Sequence, residues 1–293
     1  MRILFLIGIA LLAGSLAAET VTVIHLDRAA GLKPLAPARI VLEHEGGEIR
    51  RGFVTAPHYA PEPAKNVDFS GLKLEGDAIS GAVKLVWPTP LNLNHPERPV
   101  KDVGATYTLN ATFNGDTATG AFGGMLGAHK QGKMTGHALR ATRSKPITYP
   151  DDVQFELGLY RPLGGDGRKI RDCDLFVRFT TIGGKATKGY CVYRSNRVAG
   201  MPTDSMDVTF DGETLKGSFT VTHGGRTTTY WIDGTVIDRH VVVAVKMSAG
   251  DRQWQCGGRG FVNLAKRRLP EAEPASAKWS WDYAGEADAE LAA

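Results

Sequence analysis

"TYTLNATFNGD", residues 106–116, places apolar residues at every second position and then ends on Asn-Gly. A period of two puts one set of side chains on a single face of a β-strand. Asn-Gly tolerates the positive φ of a tight hairpin. The stretch therefore predicts a half-buried strand running into a turn. It returns as "TYWIDGTVIDR", residues 229–239. Tyr107, Leu109, Ala111 and Phe113 fall on Tyr230, Ile232, Gly234 and Val236, and Thr106 and Thr112 fall on Thr229 and Thr235.

The match extends in both directions. Upstream, "LEGDAISGAV" (74–83) lies on "FDGETLKGSF" (210–219), with Gly76 and Gly81 on Gly212 and Gly217. Downstream, "KMTGHAL" (133–139) lies on "QCGGRGF" (255–261), with Gly136 on Gly258. Three segments in one order indicate a tandem duplication. Period-two runs such as "VDFSGLKL", "ISGAVKLVW" and "LKGSFTV" alternate with Gly-containing turns, and no helical stripe interrupts them. The expected fold is all-β: two tandem antiparallel meander domains, closed as barrels or packed as sandwiches, with a short tail.

The divisions follow from the same reading. Residues 1–18 read as a signal peptide: Arg2, then an apolar run from Ile3 to Ala13, then small residues at Ser15 and Ala17. The run is shorter than the roughly 20 residues of a membrane span, so no transmembrane segment is expected after cleavage and the mature chain should be secreted or periplasmic. Residues 19–146 form the first β domain and 147–268 the second, joined through the proline-containing "RSKPITYPDD" (143–152). Residues 269–293 form a polar, acidic tail carrying Trp279, Trp281 and Tyr283, whose spacing suits a last strand packed on the body.

Composition sets limits on function. A net charge of +4 with scattered basic residues does not make the dense stripe of a nucleic-acid groove, so no nucleic-acid partner is expected. Of the three cysteines, Cys173 and Cys191 flank a hairpin centred on Gly183-Gly184 and form one candidate disulfide in an oxidising compartment. Cys191–Cys256 is the alternative, and three unbridged thiols the third case. Glu43, His44 and Glu45 are adjacent in an expected strand, where neighbours face opposite ways, so no metal or cofactor is expected. No G-x-S-x-G elbow is present, and "PLGGDGRK" (162–169) lacks the following Ser or Thr of a phosphate loop.

Candidate binding residues lie where the repeats differ. The first repeat alone carries the proline-rich insertion "WPTPLNLNHPERPVKDVG" (87–104), with Trp87 and His95. A second proline-rich stretch, "TAPHYAPEP" (55–63), offers His58 and Tyr59 for the same rim. Trp231 stands where the first repeat has Thr108, on the face opposite Tyr230 and Ile232. The functional expectation leans away from an enzyme: an exported β protein binding a polysaccharide, an envelope component or a partner protein. The alternatives are an exported hydrolase with its site in the inter-domain cleft and a purely structural envelope protein.

Overall fold

The structure, a computed structural model, describes residues 19–26, 38–55, 67–88, 102–126, 131–159, 162–163, 169–170, 175–193 and 201–264. These are almost entirely strands and turns, with no helix among them. The first sheet contains β1 (Glu19–Leu26), β2 (Ala38–Glu45), β3 (Glu48–Thr55), β4 (Val67–Glu75), β5 (Ala78–Pro88), β6 (Asp102–Asn114), β7 (Thr117–Leu126) and β8 (Gln131–Ser144). Its order is β3-β2-β1-β8-β7-β6-β5-β4, so β1 and β8, the first and last strands, are paired. β3 and β4, at the two ends of that order, come side by side and bring the sheet round into a barrel.

The second sheet repeats this plan with fragmented strands. It contains β9 (Asp152–Leu159), β12 (Leu175–Ile182), β13 (Lys185–Ala186), β14 (Gly189–Tyr193), β15 (Met201–Pro202), β16 (Ser205–Phe210), β17 (Thr214–His223), β18 (Arg226–Ile237), β19 (His240–Ala249) and β20 (Arg252–Asn263). The short hairpin β10 (Pro162–Leu163) and β11 (Lys169–Ile170) stands apart. β12 pairs with β9 on one edge and with β14 and β13 on the other, and β13 passes the ladder on to β16. The ring closes through that short strand, and again the first and last strands, β9 and β20, pair. The all-β, two-domain expectation holds, and of barrel and sandwich the structure selects barrels.

The duplication is visible in backbone hydrogen bonds. Phe113 N–H donates to Asp77 O at 2.8 Å, and Val236 N–H donates to Glu213 O at 2.8 Å. Arg143 N–H donates to Asp116 O and Val262 N–H to Arg239 O, each at 2.7 Å. Gly81 and Gly217 are equally matched. They have φ of +112° and +149°, and an added Cβ would lie 2.0 Å from Gly71 O in one case and 2.1 Å from Asp207 O in the other. Only a residue without Cβ permits so close an approach of neighbouring strands.

One part of the sequence match is corrected. "KMTGHAL" on "QCGGRGF" placed Gly136 on Gly258, but the Arg143 and Val262 hydrogen bonds place Leu139 on Gly258, a slip of three residues. The β7–β8 ladder breaks register near Gly124, whereas β19–β20 runs without a break. Bulges add residues to one strand without changing its composition, so similarity alone cannot locate them.

Alternation fills each barrel. β18 buries Tyr230, Ile232 and Val236 and turns Trp231 and Asp233 outward. Phe219 stacks on Tyr230 at 4.9 Å between centroids, and Phe155 on Phe179 at 5.4 Å. Their counterparts Tyr107, Leu109, Ala111 and Phe113 line the first core. Cys191 is buried in the second core with a free thiol, which burial first and Asp204 second push well above the usual range. Cys173 and the side chain of Cys256 lie outside the described residues. In the native protein Cys191 is expected to resist alkylation for as long as the barrel stays folded. Fast labelling without loss of β-structure, followed by mass spectrometry, would contradict that burial.

β1 departs from alternation and is buried on both faces from Val21 to Leu26. Ile24 and Leu26 face the first core. Val21 and Val23 face outward with Val41 and Phe53, where they pack on Ile237 and Val242 of the second barrel. The two barrels therefore share an apolar seam.

Candidate functional site

The outer face of the second barrel carries the exposed aromatic. Trp231 is 42% exposed, and Ile182, the last residue of β12, is the other exposed large hydrophobic among the described residues. Strand pairing sets the surroundings of Trp231 directly. Across one row of five strands run Asp207 (β16), Ser218 (β17), Trp231 (β18), Lys246 (β19) and Gln255 (β20). At about 4.8 Å per strand the row spans roughly 19 Å. The rows on either side hold Ser205, Thr220, Thr229 and Ser248, and Thr209, Lys216 and Asp233. Ser205 and Thr220 hydroxyls meet at 2.8 Å. Trp231 is thus a flat apolar plate framed by hydroxyls, an amide and charges.

The charges around it are unequally engaged. Asp207 pairs with Lys185 at 3.2 Å and Asp233 with Lys216 at 3.7 Å. Lys246 has no carboxylate partner among the described residues. Its Nζ lies 5.8 Å from the Trp231 ring centroid, within cation–π range. A ligand on the plate would meet a cation already held beside the ring.

The end of the first barrel is a poorer candidate. A cavity of ≈ 220 Å³ opens there beside His44, Gly47, Leu74, Phe113 and Arg143. It is smaller than the roughly 300 Å³ at which ligand pockets begin. Arg143 fills the mouth: its guanidinium lies 3.9 Å from the Phe113 centroid and donates to Gly76 O and Gly115 O at 3.2 and 2.6 Å. His44 Nε2 is 2.8 Å from the Thr22 hydroxyl, and burial first and Arg143 second keep the imidazole below its usual pKa. These groups are spent on sealing the barrel.

The seam is the third place where chemistry gathers. On one edge, Arg51 forms a two-pronged pair with Glu43 at 2.6 and 2.9 Å and reaches Glu213 of the second barrel at 3.6 Å. Burial opposes ionisation of Glu43, but Arg51 outweighs it and holds the carboxyl below the usual range. On the other edge stand His25 and Arg39, directly paired across β1 and β2, facing Arg239 and His240 of the second barrel. Along the row of the second barrel that runs from His240 through Phe261, Glu156 and Arg178 form a pair at 3.0 Å, almost wholly out of water.

Of the residues expected to bind ligand, only Trp231 is fully described, and it faces outward as its strand position requires. Trp87 is not in a loop. It pairs with Val103, and Pro88 with Asp102, so the β5–β6 hairpin runs further than the prolines suggested. A proline at the last position of a strand costs little of the ladder. The Trp87 side chain lies outside the described residues, as do His95, His58, Tyr59 and the tail aromatics.

Lys246, Asp207 and Gln255 escaped the sequence reading. The register of successive hairpins would have found them, because it carries Trp231 sideways across each turn. The seam escaped as well, although the unbroken apolar run "VTVIHL" (21–26) was its signal: a strand with no polar alternation is buried on both faces. Among the described residues no cluster of three or more His, Cys, Asp or Glu is placed to hold a metal. No protein-family model and no curated protein matches this chain.

Proposed function

We propose that this protein is an exported, non-enzymatic module that binds a polysaccharide across the outer face of its second barrel, with Trp231 as the stacking plate. The observation that carries the proposal is an exposed tryptophan framed by hydroxyl, amide and charged side chains. A protein partner would favour a contiguous apolar centre around such an anchor. A sugar ring offers one apolar face to stack and a rim of hydroxyls to hydrogen-bond, and this surface has the matching parts. Lys246, lacking a carboxylate partner among the described residues, suits a sugar bearing carboxylate or sulfate.

The apolar start of the chain supports export. The valine- and phenylalanine-filled seam weighs against a hydrolase with its site between the barrels, since it offers side chains packed together where a cleft would be needed.

Trp231→Ala is expected to weaken binding to a responsive polysaccharide at least tenfold, about 1.4 kcal/mol. Stability should move by no more than about 0.5 kcal/mol, as for an exposed site. A glycan array followed by titration calorimetry measures the first, and urea unfolding the second. Trp231→Phe should recover part of the affinity. Binding indifferent to both substitutions rejects this face as the site.

A further inference from the structure

We infer that the seam between the two barrels is an acid-opened latch, in which protonation of His240 drives the barrels apart. His240 is the first residue of β19 and is mostly buried. Its outward position is shared with Val242, a member of the apolar seam. Its Nδ1 is buried and has no hydrogen-bond partner among the described residues. A neutral imidazole can leave that nitrogen as a bare acceptor. A protonated one must carry N–H on both nitrogens and would bury a charged Nδ1–H donor with no acceptor among the described residues.

The surroundings make the charge costlier. From β1 the seam presents His25, from β2 Arg39, and from the β18–β19 turn Arg239. Asp238 is the acid of that turn, two residues from His240, and burial pushes its carboxyl up, which weakens it as a counter-charge. β20 places Phe261 opposite His240 and Arg259 opposite Val242. The carboxylates Glu43 and Glu213 are engaged by Arg51. Burial first, then Arg39, His25 and Arg239, hold His240 down at about 3 in the closed state.

The direction of the pH effect follows. The closed state keeps His240 neutral, and the open state, with its imidazole in water, titrates near 6.5. Closure is therefore fully favoured above pH 6.5 and weakens as pH falls from 6.5 towards 3. The opening constant rises about tenfold per pH unit in that window, hence roughly 100-fold at pH 4.5. Opening separates Val21, Val23, Val41 and Phe53 from Ile237 and Val242 while leaving both barrel ladders intact.

The test uses the full chain with Val23→Cys, which introduces a thiol on the seam face of the first barrel. Its reaction with a pyridyl disulfide, active at acid pH, is followed by mass spectrometry and normalised to the same thiol in a short peptide. The normalised rate should rise roughly 100-fold between pH 7.5 and 4.5, with unchanged far-UV circular dichroism. Adding His240→Gln, which cannot titrate, should reduce the rise below about threefold. His240→Asn provides the same comparison if the glutamine packs badly. A flat profile in the His240 background, or an equal rise in the Gln and Asn backgrounds, overturns the latch.

Discussion

Gly217→Ala is expected to unfold the second barrel, at a cost above about 4 kcal/mol. The methyl group would sit 2.1 Å from Asp207 O and 2.6 Å from Val208 Cα, at a φ of +149°. Both obstacles are backbone, so no side chain can rotate away. Strain of order 1–3 kcal/mol from φ adds to the steric term, and together they reach the range reserved for the most damaging substitutions. Gly81→Ala should damage the first barrel in the same way, since its Cβ would meet Gly71 O at 2.0 Å. Gly76→Ala is the comparison: its φ is +55° and nothing lies within 4 Å, so it should cost about 1 kcal/mol. Urea unfolding followed by circular dichroism ranks the three. Equal losses at Gly76 and Gly217 would falsify the close strand approach.

Glu156→Ala is the second large loss, at about 3–5 kcal/mol. Glu156 is 1% exposed and Arg178 10%, with Nε and Oε1 3.0 Å apart. Removing the carboxylate takes from Arg178 its buried counter-charge, and the uncompensated cation accounts for the destabilisation. Asn263 also donates to Glu156 Oε1, at 3.4 Å, so the β9–β20 contact loses an acceptor. Glu156→Gln retains an oxygen and the volume, and should lose roughly half as much. The double change Glu156→Met with Arg178→Met should be far milder than either single one, because it removes both desolvated charges together. Thermal unfolding of the wild type, Glu156→Met, Arg178→Met and the double variant completes the cycle. A double variant as unstable as the sum of the singles would mean that the two residues act independently.

Period two was the readable part of this chain. Tyr107, Leu109 and Phe113 announced a core face, and their match with Tyr230, Ile232 and Val236 announced the repeat, because side-chain alternation is a local property of strands. Closure was harder to read. The second ring is completed by Lys185 and Ala186, a strand too short for any periodicity. The bulges near Gly124 add two residues to β8, which no local periodicity reveals. Trp231 was found because its twin is Thr108 and a large aromatic on a polar face is conspicuous. Its partner Lys246 was not, since neighbours across a sheet are set by turn length and register. His240 gave no signal at all. Its character comes first from burial and then from Arg39 and His25, about two hundred residues away in the chain.

The pairing of first with last strand in each barrel, β1 with β8 and β9 with β20, has a consequence for how such a chain can be cut and joined. The ends of each unit lie side by side, so each is topologically a ring with an arbitrary starting point. Circular permutants of the second barrel, rejoined between Asn263 and Asp152 and opened at the exposed Gly224-Gly225 turn, would keep every ladder. A unit of this kind can be copied, inserted or appended without rerouting its strands, and a tandem pair is the simplest object that such copying makes.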